Sequence, residues 1–219
     1  LINKYFNKIS DKKDSLTLLN TSFSIEGAYI YLPKSVTAEK PIEIMHFSTG
    51  KQGDFFLQPR NLIIVEENAE VQILERHQSL SNHRPFTNSV TEIYAKDSSR
   101  IDYYKIQNDR EEAYLIDNTY ISQNTKSNVH VHTFSFGGEI TRNNLNFYQN
   151  GENCNSTLNG LTIINANQHV DHYTLVSHAK PNCESHQEYK GIFSGKSVGV
   201  FNGKILVDKI AQKTNAFQQ

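Results

Sequence analysis

Between residues 169 and 186 the chain carries His169, His172, His178, Cys183 and His186. Imidazoles beside a soft thiolate suit zinc, ferrous iron or an iron–sulfur species. His178, Cys183 and His186 are therefore the candidate ligands of an auxiliary metal or thiol site. No C-x-x-C or H-x-x-x-H pair anchors them, and a structural zinc site normally declares itself through such spacing. The competing reading is that these side chains serve hydrogen bonds inside a polar fold. On a strand, His172, Thr174, Val176 and His178 share one face and Asp171, Tyr173, Leu175 and Ser177 the other.

His130-Val131-His132 places two more imidazoles on one strand face, because side chains two apart align. With His172 and His178 they define a rival reading, a metal-dependent β-solenoid or cupin-like enzyme. A cupin site asks for a Glu soon after the second His and a Gly well before the first. Here Glu139 comes too late and Asn124 stands at the glycine position. Other chemistries have less support. There is no G-x-S-x-G, and Cys183 lacks the surroundings of a cysteine nucleophile. Asp171 with Glu184 or Glu188 supplies carboxylates for glycoside hydrolysis, but only a measured separation makes such a pair. Gly137-Gly138 lacks the Lys-Ser/Thr of a phosphate-binding loop.

Composition narrows the classes further. With 22 basic and 23 acidic residues the formal charge is −1, which leaves no electrostatic footprint for nucleic acid. The longest apolar run, Leu62 to Val65, is far short of a membrane span, and the first residues do not show a charged stretch followed by an apolar one. Cys154 and Cys183 are the only cysteines, too few for a disulfide framework. The expectation is a soluble, cytoplasmic protein without a membrane partner. The chain begins at Leu1 and stops at Gln219 in a polar stretch, which suggests a fragment of something longer.

The elements that position these residues follow from hydrophobic pattern and turn spacing. Ile2, Tyr5, Phe6 and Ile9 recur at helical spacing, and Asp14 or Ser15 is placed to cap a short turn through Leu19. Thereafter the pattern is short strand-like runs: Ala28 to Leu32, Ile42 to Phe47, Asn61 to Val65 and Val71 to Leu74. Turn signals at residues 67–70, 96–99, 124–127, 150–153 and 180–182 have centres about 26 to 30 residues apart. That period points to a β-solenoid, in which each unit needs a stacked neighbour to cover its apolar face. Arg100 to Ile106 mixes apolar and polar groups on both parities, which a two-sided solenoid tolerates.

Leu19-Asn20-Thr21-Ser22-Phe23, Glu26 to Pro33 and Pro41 to Ile44 resemble the entry to the core domain of the SufB/SufD scaffold proteins of iron–sulfur cluster assembly. Arg142 to Leu145, Asn159 to Leu161, Asp171-His172, His178, Cys183 to Gly191, Val200 to Ile205 and Ala211 to Ala216 look like successive blocks of that family in order. The resemblance covers residues 19–219, and the Val-Phe-Asn-Gly-Lys block is more SufD-like than SufB-like.

The resemblance implies an all-β fold, a right-handed parallel β-helix over residues 25–219 behind a short N-terminal helical segment, residues 1–24. It also implies a non-catalytic scaffold that pairs with a SufB-like paralogue and a SufC-like ABC-type ATPase. Iron or a transient iron–sulfur cluster belongs to the full complex. Family members continue beyond the position of Gln219 into further strands, a Cys-Ser-His-Gly block with ligand-type residues and a C-terminal helical segment that contacts the ATPase. In a chain lacking them, an uncovered last rung is a template for pairing, and a homodimer or larger assembly through that end is expected.

Overall fold

The computed structural model describes residues 1–49, 53–80 and 83–219. Two helices, α1 (Ile2–Tyr5) and α2 (Ser15–Phe23), precede a succession of strands. One sheet takes β1 (Tyr29–Leu32), β3 (Phe55–Leu57), β4 (Arg60–Val65), β6 (Pro85–Ala95), β8 (Tyr114–Gln123), β10 (Ile140–Gln149), β12 (His169–His178) and β14 (Val198–Val207). The other takes β2 (Ile42–Ser48), β5 (Glu70–Ser79), β7 (Arg100–Gln107), β9 (Asn128–Ser135), β11 (Asn155–Ile164), β13 (Glu184–Phe193) and β15 (Asn215–Gln218). Within the described residues every pairing is parallel, and from β4 onward successive strands alternate between sheets. This is the expected β-solenoid.

The rung period agrees with the turn spacing: Ile64 pairs with Tyr94, and Ile121 with Phe147. Four of the five turns predicted from sequence hold a left-handed residue at Asn68, Ser98, Lys126 or Asn153, and the fifth holds Asn182. These turns form a stacked column. The amide of Asn68 donates to the Asp97 carbonyl at 3.0 Å, that of Ser98 to Thr125 at 2.9 Å, and that of Lys126 to Glu152 at 2.8 Å. Each turn thus pairs its backbone with that of the next.

Inward side chains stack in the same register. Ile63, Ile93, Ile121, Phe147 and Val176 form one fully buried apolar column facing Ile73, Tyr103, Val131 and Leu158. Truncating one of the large aliphatics to Ala would cost about 2–5 kcal/mol.

The N-terminal segment lies on the outer face of the β4–β6–β8 sheet, which explains why β4 is buried on both parities. Asp14 caps α2 by accepting from the Thr17 amide at 2.6 Å, as expected from sequence, but the helix runs past Leu19 to Phe23. Beneath it Arg60 and Glu92 form a buried 2.7 Å ion pair, and Glu92 also accepts from the amides of Asn7, Lys8 and Ile9. Tyr94 donates to the Tyr5 carbonyl at 2.7 Å.

Candidate functional site

The interior is divided along its length: the Ile63–Val176 column is apolar, whereas a second stripe is polar. Strand parity turns Glu75 and His77 of β5 inward, and register sets Lys105 of β7 beside Glu75. From the opposite sheet Asn61 of β4 and Asp117 of β8 face the same space. Lys105 forms a close ion pair with Asp117, and its Nζ lies 3.7 Å from Glu75 Oε2. The Tyr103 hydroxyl donates to that same Glu75 oxygen. On the other oxygen, Oε1, Asn61 Nδ2 donates at 2.8 Å and His46 Nε2 at 3.0 Å.

The electrostatics follow from these partners. Burial disfavours the charge on Glu75, yet the Lys105 ammonium and the bond from His46 outweigh it and hold the carboxyl well below its usual range. Burial also opposes a charge on His46, but Glu75 prevails and raises its pKa. Tyr103 is pushed well up, by burial first and then by the Glu75 charge.

At the open end of the stripe His46 of β2 pairs in register with His77 of β5, and their rings stack at 4.6 Å. Both line a pocket of about 440 Å³, whose wall includes Ile44, Pro59, Thr87 and Asp109. Burial raises the Asp109 carboxyl pKa. Among the described residues, His46, Glu75 and His77 are the group of three His, Cys, Asp or Glu donors lying within 4.8 Å of one another. Sequence reasoning missed them because His46 is distant in the chain from Glu75 and His77. Glu75-Arg76-His77 has the alternation that puts two donors on one face, and His46 lies one rung period earlier, so the period itself was the available signal.

The residues singled out from sequence are dispersed. His178 is fully buried, with Nε2 3.1 Å from Ser185 Oγ and with Nδ1 lacking a hydrogen-bond partner among the described residues. Cys183 is buried and points its sulfur at the Gly151 carbonyl, 3.3 Å away, where Cys154 is also directed at 3.3 Å. Burial, then the neighbouring Cys183, pushes the Cys154 thiol up to about 12, so it is held as a thiol. His186 faces outward, stacked on Phe217 at 4.9 Å. The geometry does not bring His178, Cys183 and His186 together as three converging donors.

His130 and His132 do share a face of β9, the outward one. His130 Nδ1 lies 3.1 Å from Asp102, and His132 stacks on Tyr104. His172 and His178 face inward from β12, so the four imidazoles of the enzyme reading do not converge. Asn143 Nδ2 donates to His172 Nδ1 at 3.3 Å, leaving Nε2–H for Thr162 Oγ1 at 2.9 Å. Asp171 pairs with Arg142 on the outside of one sheet, while Glu184 and Glu188 lie on the outside of the other. Thr174 and Gln187 meet across the interior at 2.6 Å, a bond between facing sheets rather than between neighbouring rungs.

Comparison with known proteins places this architecture. A family model described as the SufBD core domain of SUF system FeS cluster assembly matches residues 46–219, and one for the SufBD N-terminal region matches residues 1–44. An iron–sulfur cluster assembly SufBD family protein of Synechocystis is 28% identical over 98% of this chain and 49% of its own length. The iron–sulfur cluster assembly protein SufD of Escherichia coli is 27% identical over 90% of this chain and 47% of its own. That of Bacillus subtilis is 23% identical over 100% and 51%. The chain thus spans about half the length of the curated relatives it matches.

Proposed function

Because the chain belongs to the SufBD family of iron–sulfur cluster assembly proteins, we propose that it is a non-catalytic scaffold subunit of a SUF-type assembly complex in the cytoplasm. Its partners in this reading are a SufB-like paralogue and a SufC-like ABC-type ATPase, and iron or the nascent cluster is cargo. The observation that carries the reading is the match of the core family model to residues 46–219, which hold most of the solenoid. A rigid ladder of in-register rungs suits a scaffold, because every rung is held by backbone bonds to its neighbours. Among the described residues, no helix is long and apolar enough to cross a membrane.

Self-association belongs to the same reading. β14 and β15 are the outermost strands of their sheets, and Val198, Val207 and Phe217 are exposed on them. In residues 1–219 taken alone, an edge of this kind is a template for a strand from another chain.

Depletion of the protein in its own cells tests the assignment. Activities of iron–sulfur enzymes should fall while enzymes without clusters stay unchanged. Unchanged cluster enzymes in fully depleted cells would overturn it.

A further inference from the structure

We propose that His46, Glu75 and His77 form a binding site for a divalent transition-metal ion, with two imidazoles and one carboxylate on one side and the pocket on the other. The site itself is argued from its own donors. The choice of ferrous iron as its natural occupant rests on the assembly reading above.

Three observations converge. The donor atoms of the three residues lie within 4.8 Å of one another. His46 Nε2 and Glu75 Oε1 are 3.0 Å apart, close to the edge between adjacent ligands each about 2.1 Å from a common ion; the hydrogen that joins them without an ion leaves Nε2 when the ion binds, released to solvent or carried by Nδ1 as the other tautomer. His77 Nε2 lies 3.6 Å from the same oxygen and closes on that ion with a shift of about half an ångström.

The second observation is that His77 is buried and its Nε2 makes no hydrogen bond of ordinary length among the described residues, its nearest acceptor being Glu75 Oε1 at 3.6 Å. A buried polar atom without a partner carries a desolvation cost of about 1–3 kcal/mol. An ion held with His46 and Glu75 supplies that partner.

The third is the support behind the carboxylate. Glu75 is fully buried, and its Oε2 is held by Tyr103 and lies near Lys105, so Oε1 is the oxygen turned towards the imidazoles. Outer groups of this kind orient a ligand and set its affinity. Lys105 also neutralises Asp117, so the formal charges of Glu75, Asp117 and Lys105 leave one negative charge to meet a dication.

Two imidazoles and a carboxylate suit borderline dications, and with positions left open the set matches the two-histidine, one-carboxylate arrangement that favours ferrous iron. The pocket of about 440 Å³ against His46 and His77 leaves room for those open positions.

Anaerobic titration of the purified chain with ferrous iron, cobalt(II) and zinc tests the proposal. It is read by calorimetry, by the visible bands of bound cobalt and by the spin signature of the ferrous nitrosyl adduct. One ion per chain is expected, together with a metal-dependent rise in Tm. His46→Ala and His77→Ala should weaken binding at least tenfold and abolish the rise in Tm. Tyr103→Phe should weaken it about 10–100-fold, as loss of an orienting partner does. His77→Gln, which keeps a polar side chain at the site, guards against a folding defect: it should melt cooperatively without metal and still bind weakly.

Binding of equal affinity in the folded His46 and His77 variants would overturn the site. So would binding lost instead in His178→Ala and Cys183→Ser, or no binding of any of the three ions. Zinc or cobalt held by the triad while ferrous iron is not would uphold the site and contradict ferrous iron as its occupant.

Discussion

His77 lies one rung beyond His46 and in register with it, so that their imidazole rings stack at 4.6 Å with planes 17° apart. In a solenoid, side chains meet by rung rather than by proximity in sequence. The same rule brings Glu75 against Lys105 and Asn143 against His172.

Lys105 is the one cation in contact with both Glu75 and Asp117 among the described residues, and its side chain is 9% exposed. Lys105→Met leaves buried Asp117 without its counter-charge and buried Glu75 with only the imidazoles of His46 and His77 beside it. The expected loss is about 3–5 kcal/mol, the usual consequence of removing one partner from a buried ion pair. In urea unfolding the midpoint should fall with the slope unchanged. A variant as stable as the parent would show that the pair does not hold the polar stripe together.

His172 makes stability depend on pH. Burial lowers its pKa from 6.5 to about 4. Asn143, Thr162 and Tyr189 surround it, and burial keeps the Tyr189 phenol neutral. Between these two values the unfolded chain binds the extra proton and the native chain does not. The contribution is therefore complete above pH 6.5 and is lost as pH falls towards 4, by about 3 kcal/mol in all. Denaturation at pH 7, 5.5 and 4.5 should show this slope in the parent and a shallower one in His172→Gln.

The solenoid was legible because its punctuation is local. Asn68, Ser98 and Asn153 sit at left-handed turn positions that favour small polar residues, and with Lys126 between the last two they recur once per rung. Asp14 announced a helix start by the same local chemistry. Strand lengths were less legible: the run read as Val71 to Leu74 extends over Glu70–Ser79, because Glu75 and His77 are inward-facing polar groups that break the apolar signal. The mixed parity of Arg100 to Ile106 has the same origin, with Ile101, Tyr103 and Lys105 all facing the interior. Ligand density drew attention to His178, Cys183 and His186, whereas convergence in space needed the register between distant rungs.

Gly151 permits close stacking of the turn column. A Cβ there would fall 2.0 Å from the Thr125 backbone nitrogen, an atom that cannot step aside alone. Gly151→Ala should cost about 1–3 kcal/mol, as overpacking does, and lower Tm by several degrees in a thermal melt. An unchanged Tm would contradict the tight spacing of these turns.

For residues 1–219 on their own, the exposed edges of β14 and β15 predict a concentration-dependent mass. Light scattering across a dilution series should show dimers or larger species dissociating as concentration falls. Lysines at Val198 and Phe217, which are 47% and 58% exposed, should shift the chain towards monomer without lowering Tm. A strictly monomeric mass at high concentration would contradict association through this end.

The central claim is the scaffold role, and native mass spectrometry of the full-length protein co-expressed with its neighbouring gene products tests it most directly. The account predicts a hetero-assembly containing a second SufBD-type chain and an ABC-type ATPase. A free protein that binds neither and turns over a sugar or small acid with a bound metal would contradict it.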